Sequence, residues 1–380
     1  MNSSQLRDSL RLARAEGVGP VAFRRLLLRF GDAAAALDAL PGLARAGGRA
    51  GAPAIPTADT VDREIAALAK MGGCFVVLGG KKYPERLAEL YDAPPVLAVL
   101  GDPALLSGRT VALVGSRNAS VNGQRIAETL ADELAKAGFF VVSGMARGVD
   151  AAAHRGALRA GKTIAAVAGG LDIPYPAEHA DLQREIAASG AVVAEAPLGT
   201  APLARHLPRR NRVIAGHSEG VVVIEAALRS GSLITARLAG EAGREVFAVP
   251  GSPLDPRCRG SNDLLRQGAH LTETLTDVLE GLTDPASARG LLRAQRPLQG
   301  FHGPEAVWPE PETSSAEQEK VRVAVAGLLS ATPTAVDDLL RRCQFSAPAV
   351  MAALLELELA GRAETLPGNR VALIPGNRVD

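Results

Sequence analysis

Residues 205–212 read Arg-His-Leu-Pro-Arg-Arg-Asn-Arg, four arginines in eight positions with no carboxylate among them. A solvated turn would account for the run. So would a seat for phosphates, because each guanidinium presents a planar fork of donors that fits phosphate oxygens. Three other stretches combine small residues with donors. Gly115-Ser116-Arg117 follows the apolar run Val-Ala-Leu-Val. Arg147 lies between Gly144 and Gly148, with Asp150 just beyond. Gly231, Ser232 and Thr235 open a helical stretch. Small residues let backbone amides approach an anion, and a helix N-terminus adds unpaired N–H groups. Each turn alone reads equally well as a tight turn with a capping Ser or Asp. Together they suggest one anion-binding edge.

Other chemistries fit less well. Asp150 and His154 are four apart and share a helix face, as an acid–base pair would; a capping Asp and a half-buried His is the plainer reading. Glu195 and Glu225 each end a predicted strand and read as a carboxylate pair or, with so many arginines near, as acceptors that orient them. Residues 156–163, Gly-Ala-Leu-Arg-Ala-Gly-Lys-Thr, match the Walker A pattern. A P-loop runs from strand to helix, whereas this run leaves a helix and enters a strand, with Gly161 as the helix C-cap. No strand is followed by Gly-x-Gly-x-x-Gly, which disfavours a nicotinamide dehydrogenase. No serine sits in a nucleophile elbow. The three cysteines, Cys74, Cys258 and Cys343, have no metal-ligand spacing, so neither a metal nor a cofactor is expected.

The elements that must position this edge follow from hydropathy. Between about 70 and 280, seven short β-rich runs bounded by glycine alternate with helical stretches. This is the pattern of a doubly wound parallel sheet buried on both faces, and ligands of such sheets bind beyond the carboxyl ends of the strands. The expected domains are a small helical one at 1–65, an extended Rossmann-like one at 66–284, a Pro-rich linker at 285–318 that holds Trp308, and a winged helix at 319–380. In the first, Gly17-Val18-Gly19 before an amphipathic helix reads as a helix-hairpin-helix turn or as a plain glycine turn in a helical domain. In the last, three helices and a hairpin around Pro367-Gly368-Asn369 carry seven basic and seven acidic side chains. Glu356 and Glu358 on the third helix point to a protein contact rather than DNA.

The whole chain of 380 residues has a net charge of +1 and 47% hydrophobic residues. A polyanion would therefore have to be met by a local patch. No apolar run approaches the ~18 residues that span a bilayer, and the N-terminus lacks an apolar leader. A cytoplasmic protein without disulfides or membrane partners is expected.

The ordered stretches Val-Gly-Ser-Arg (114–117), Ser-Gly-Met-Ala-Arg-Gly-Val-Asp-Ala-Ala-Ala-His (143–154), Tyr-Pro-Ala-Glu-His-Ala-Asp-Leu (175–182), Leu-Pro-Arg-Arg-Asn-Arg (207–212) and the run 221–251 resemble the DNA-processing protein A (DprA/Smf) family over about 110–270. Two departures stand out. Leu207 replaces the family's Phe before Pro208, removing a base-stacking platform there, and His179 replaces its Asn. The resemblance implies a non-enzymatic homodimer that binds single-stranded DNA and loads the RecA recombinase during natural transformation. It also implies a sterile-alpha-motif-like N-terminal domain and a C-terminal winged helix. The expected DNA-binding set is Gly115, Ser116, Arg117, Arg147, Arg205, Arg210, Asn211, Arg212, Gly231, Ser232 and Thr235. Arg210 and Arg212 would line the pocket or pin neighbouring strand ends; Arg205 and Arg209 would extend its rim. The competing reading is a nucleotide phosphoribohydrolase-like enzyme. That class carries Pro-Gly-Gly-x-Gly-Thr-x-x-Glu, where this chain has Arg229-Ser230-Gly231-Ser232 without the glutamate.

Overall fold

A computed structural model describes residues 2–283, 315–366 and 368–374. These form two compact units, one built on a large sheet and the other on the N-terminal helices together with the C-terminal residues. The expected linker, with Trp308, falls mostly outside the described residues; the helix Ser315–Leu328 begins within its last few positions.

The large sheet has nine strands: β1 (Gly73–Val77), β2 (Val96–Gly101), β3 (Thr110–Gly115), β4 (Phe140–Ser143), β5 (Thr163–Val167), β6 (Ala191–Ala194), β7 (Gly220–Ile224), β8 (Glu245–Ala248) and β9 (His270–Leu271). Their spatial order is β1-β2-β6-β5-β4-β3-β7-β8-β9. From β6 to β9 every neighbouring pair is parallel. Strand alternation explains the two buried faces. In β3, Ala112 and Val114 join one core, while Val111 and Leu113 join the other; in β7, Val221 and Val223 face the first and Val222 and Ile224 the second. Helix Leu207–His217 covers the first face with Val213 and Ile214. Helices Val121–Lys136 and Val149–Ala160 cover the second with Ala127, Leu130, Ala152 and Ala153. The latter two helices pack so closely that a Cβ on Gly156 would lie 2.2 Å from the Glu128 carbonyl oxygen. Packing thus explains the first glycine of the Walker-like run.

Seven strands are the runs read from the sequence. The sheet is not wholly parallel, because β2 runs antiparallel to β6 with Ala98 opposite Ala194. The Val-Leu-Ala-Val-Leu run of β2 is apolar throughout and fits helix or strand equally. β9 is two residues long and has no period to detect. The chain proceeds from β3 outward through β4, β5 and β6, then returns to place β7 on the other side of β3. The direction of winding therefore reverses between β3 and β7, the position beyond whose carboxyl ends doubly wound sheets commonly bind ligands.

In the other unit, helix Ser3–Ala13 starts with a reciprocal cap: Asn2 Oδ1 accepts from the Gln5 amide at 2.8 Å, and Gln5 Oε1 from the Asn2 amide at 2.9 Å. Gly17, at φ 79°, turns the chain into helix Pro20–Phe30, and helix Ala33–Ala46 follows. The C-terminal residues form helices Ser315–Leu328, Val336–Arg342 and Ala347–Leu359, with a three-stranded sheet of β10 (Thr334–Ala335), β11 (Ala363–Leu366) and β12 (Arg370–Leu373). β11 and β12 form the antiparallel wing. Among the described residues, no helix is long and apolar enough to cross a membrane.

Candidate nucleic-acid interface

The loops after β3 and β4 interlock. Gly115 lies opposite Ile224 of β7, and a Cβ on it would come within 1.9 Å of the Ile224 carbonyl oxygen. Gly148 has φ 73°, and its Cβ would meet the Ser116 carbonyl at 2.3 Å. The Val149 amide donates to that same Ser116 oxygen at 3.2 Å, while Ser116 Oγ accepts from the Asn118 amide at 3.1 Å. Glycine is thus required here by backbone approaching backbone. The result is a rigid double loop that leaves Arg117 and Arg147 exposed. Arg147 forms a two-point pair with Glu178, at 2.5 and 2.7 Å. Arg117 makes no hydrogen bond or ion pair among the described residues.

Arg210 comes from the first turn of helix Leu207–His217 and lies beneath Arg117, buried. Its Nη1 donates to the Ala166 carbonyl at 3.3 Å and lies 3.9 Å from Asp150 Oδ2; its Nε has no partner among the described residues. A Cβ on Gly144 would fall 1.3 Å from Nη1, so only glycine leaves room for the guanidinium. Asp150 is buried as well. Desolvation pushes its carboxyl pKa up, against the pull of Arg210 and of the Ala146 amide, which donates at 3.2 Å. Arg117 and Arg210 line one pocket with Gly144, Ala146, Val167, Ala168, Gly169, Ile173, Tyr175 and Leu207. Its lining combines two guanidinium groups with small and apolar residues. A wider hollow at the far end of helix Val121–Lys136, along Thr274–Thr276, has no comparable convergence of charge.

Tyr175 is the residue that sequence reasoning missed. It is 51% exposed and lines the pocket beside Leu207, the position where an aromatic ring was expected to be lost. The loop that carries it is held from below: buried His179 joins the Met145 carbonyl through Nδ1 at 2.8 Å. Met145 holds φ 63°, a left-handed conformation that favours glycine, and so aims that carbonyl at the imidazole. Only the folded loop brings residue 175 to the arginines.

Of the remaining expected residues, several are engaged within the protein. Arg212 is buried, and its Nη2 donates to Glu195 Oε1 at 2.5 Å, tying the helix to the end of β6. Asn211 Nδ2 donates to the Gly231 carbonyl at 3.3 Å. Ser232 and Thr235 are buried, with Ser232 Oγ 2.7 Å from Ser230 Oγ. Arg205 and Arg209 are exposed. Glu195 orients an arginine as expected. Glu225 does not: it accepts from the amide and hydroxyl of Ser120, the N-cap of helix Val121–Lys136. His154 is fully rather than half buried, because its helix packs flat against β4 and β5. Replacing Arg212 by alanine removes a charge-assisted hydrogen bond from the half-buried Glu195 carboxylate, so the sheet unit is expected to lose about 2 kcal/mol; urea unfolding of the variant checks this.

Comparison with known proteins places these features together. The model of the DNA recombination-mediator protein A family matches residues 74–283, that of the DprA-like N-terminal HHH domain matches 3–67, and that of the DprA winged helix domain matches 309–369. Protein Smf of Escherichia coli K12 is 40% identical over 297 residues, which is 77% of this chain and 75% of that protein. The X-ray structure of DNA processing protein A from Streptococcus pneumoniae superposes with a TM-score of 0.61 at 35% identity, covering 73% of this chain and 97% of that one. DNA processing protein A of Helicobacter pylori, solved for its single-stranded DNA binding mode, gives 0.50 at 33% identity, covering 55% and 95%. With its sheet, its N-terminal helices and its winged helix each matched, the chain belongs to the DNA recombination-mediator protein A (DprA/Smf) family.

Proposed function

We propose that this chain binds single-stranded DNA at the pocket beyond β3, β4 and β5, without strong sequence preference and without catalysis. Acting as a homodimer in the cytoplasm, it loads the RecA recombinase onto that strand. The observation that carries the reading is the pocket where exposed Arg117 and buried Arg210 meet Tyr175. Single strands are held by cationic grooves that follow phosphates, combined with rings on which unpaired bases stack. Arg117 is the foremost phosphate ligand, and Arg147 joins once it exchanges Glu178 for DNA. Arg205 extends the rim. Gly115, Ser116 and Gly231 give the strand close backbone, while Asn211, Arg212, Ser232 and Thr235 hold the edge in shape. The single-stranded DNA binding mode described for the Helicobacter pylori relative supports this reading.

Fluorescence anisotropy with single-stranded and duplex oligonucleotides of equal length, across a salt series, tests it. A salt-sensitive preference for the single strand is expected; equal or absent binding rejects the reading. Tyr175→Leu is expected to weaken single-strand binding by about 1.4 kcal/mol, roughly tenfold, because one base–aromatic stack is lost. Its salt slope should match wild type, since a ring neutralises no phosphate. An unchanged affinity would remove Tyr175 from the interface.

A further inference from the structure

Helix Ala347–Leu359 is the third of the winged helix, the element that such folds commonly lay in a DNA major groove. In this chain it is apolar nearly all round, as a helix buried on two sides must be. Val350, Leu354 and Leu357 fill the winged helix's own core. Leu355 and Leu359 instead complete the core of the N-terminal helices, alongside Phe23, Leu26 and Leu40. The two backbones also meet. A Cβ on Gly47 would stand 1.9 Å from the Glu356 carbonyl oxygen, and one on Gly17 would stand 3.1 Å from that of Leu359.

The acidic groups of this helix are committed as well. Glu356 is buried and accepts from Arg322 Nη1 at 2.9 Å, and Glu358 accepts from Thr365 Oγ1 at 3.2 Å. The Glu358 carboxylate lies against the Gly17–Gly19 turn, 3.6 Å from where a Cβ on Gly19 would be. A helix in a major groove has to bring donors to base edges and phosphates; this one brings leucines and carboxylates.

We infer that the winged helix of this chain is a protein-docking module whose partner is the N-terminal helical domain of the same chain, and that it does not read duplex DNA. Its third helix is the docking surface, and the glycines at 17 and 47 are the places where that surface fits.

Gly47→Leu in the full-length protein isolates the contact. Gly47 has φ −67°, so any side chain suits its backbone, and the new side chain meets a carbonyl that no rotamer change can move. Hydrogen exchange read by mass spectrometry is expected to show protection in 347–359 falling at least tenfold, with 110–248 unchanged. Affinity for a duplex oligonucleotide, read by anisotropy, is expected to stay within twofold of wild type. Unchanged protection in 347–359 would overturn the docking. A tenfold gain in duplex affinity would overturn the assignment and identify the helix as a masked DNA reader. Leu359→Glu, read in the same two assays, gives an independent test should Gly47→Leu fail to fold.

Discussion

Arg117→Ala is expected to weaken single-strand binding by about 2 kcal/mol, roughly 30-fold at low salt, because a charge-assisted hydrogen bond to phosphate is lost. The loss should be similar for every sequence, since phosphates carry no base identity. The slope of log K against log salt should fall by about 0.7, the counterion release of one single-strand phosphate contact. Stability should change little, since the Arg117 side chain is exposed and makes no hydrogen bond or ion pair among the described residues. That separates it from buried Arg212, whose removal breaks its ion pair with half-buried Glu195. An Arg117→Ala protein that keeps both the affinity and the slope of wild type would show that the exposed guanidinium takes no part in binding.

Acid should unfold the sheet unit well above the carboxylate range. His154 is fully buried; its Nδ1 lies 2.8 Å from Thr163 Oγ1, which itself donates to the Val141 carbonyl at 2.6 Å. The hydroxyl proton is thus used, and the imidazole donates through Nδ1. Burial, with Arg210 nearby, pulls the His154 pKa down from 6.5 to about 3. Burial likewise brings His217, joined to the Leu106 carbonyl through Nε2 at 2.7 Å, down to about 4. Both folded values lie below the unfolded one, so the unfolded chain binds more protons once the pH drops below 6.5. The stability is present in full above that pH and is lost on the way down to the folded values. Each histidine adds a slope on the order of 1 kcal/mol per pH unit below the unfolded value and above its own folded value. Asp150 works in the opposite direction, because its raised pKa lets the folded state take up a proton first. Urea midpoints at pH 7.5, 6 and 5 should fall in that order, and His154→Gln should fall less steeply. Equal midpoints at all three values would sink the account.

The strands that hold the site are legible in the sequence. Val-Ala-Leu-Val before Gly115 and Val-Val-Val-Ile before Glu225 are runs of β-branched and apolar residues ended by turn positions, and local pattern alone makes them strands with two buried faces. The placing of phosphate-sized turns at their carboxyl ends follows from the same pattern, as does the reading of residues 156–163 as helix into strand. The arginine run could have been divided further. It opens helix Leu207–His217, and residues two apart on a helix point about 200° apart, so Arg210 and Arg212 had to face different neighbours. What each neighbour is depends on chain segments far away in sequence: Ala166 and Asp150 for Arg210, and Glu195 for Arg212. Composition shows the charge of an arginine but not its burial, and burial decides whether that charge meets a phosphate or a carboxylate. Tyr175 reaches the pocket only because His179 and Met145 fix the loop that carries it. The leucines of helix Ala347–Leu359 show from sequence that the helix is buried on more than one side. Only tertiary packing supplies the N-terminal helices as its second partner, because apolar contact has no direction and any complementary face can satisfy it.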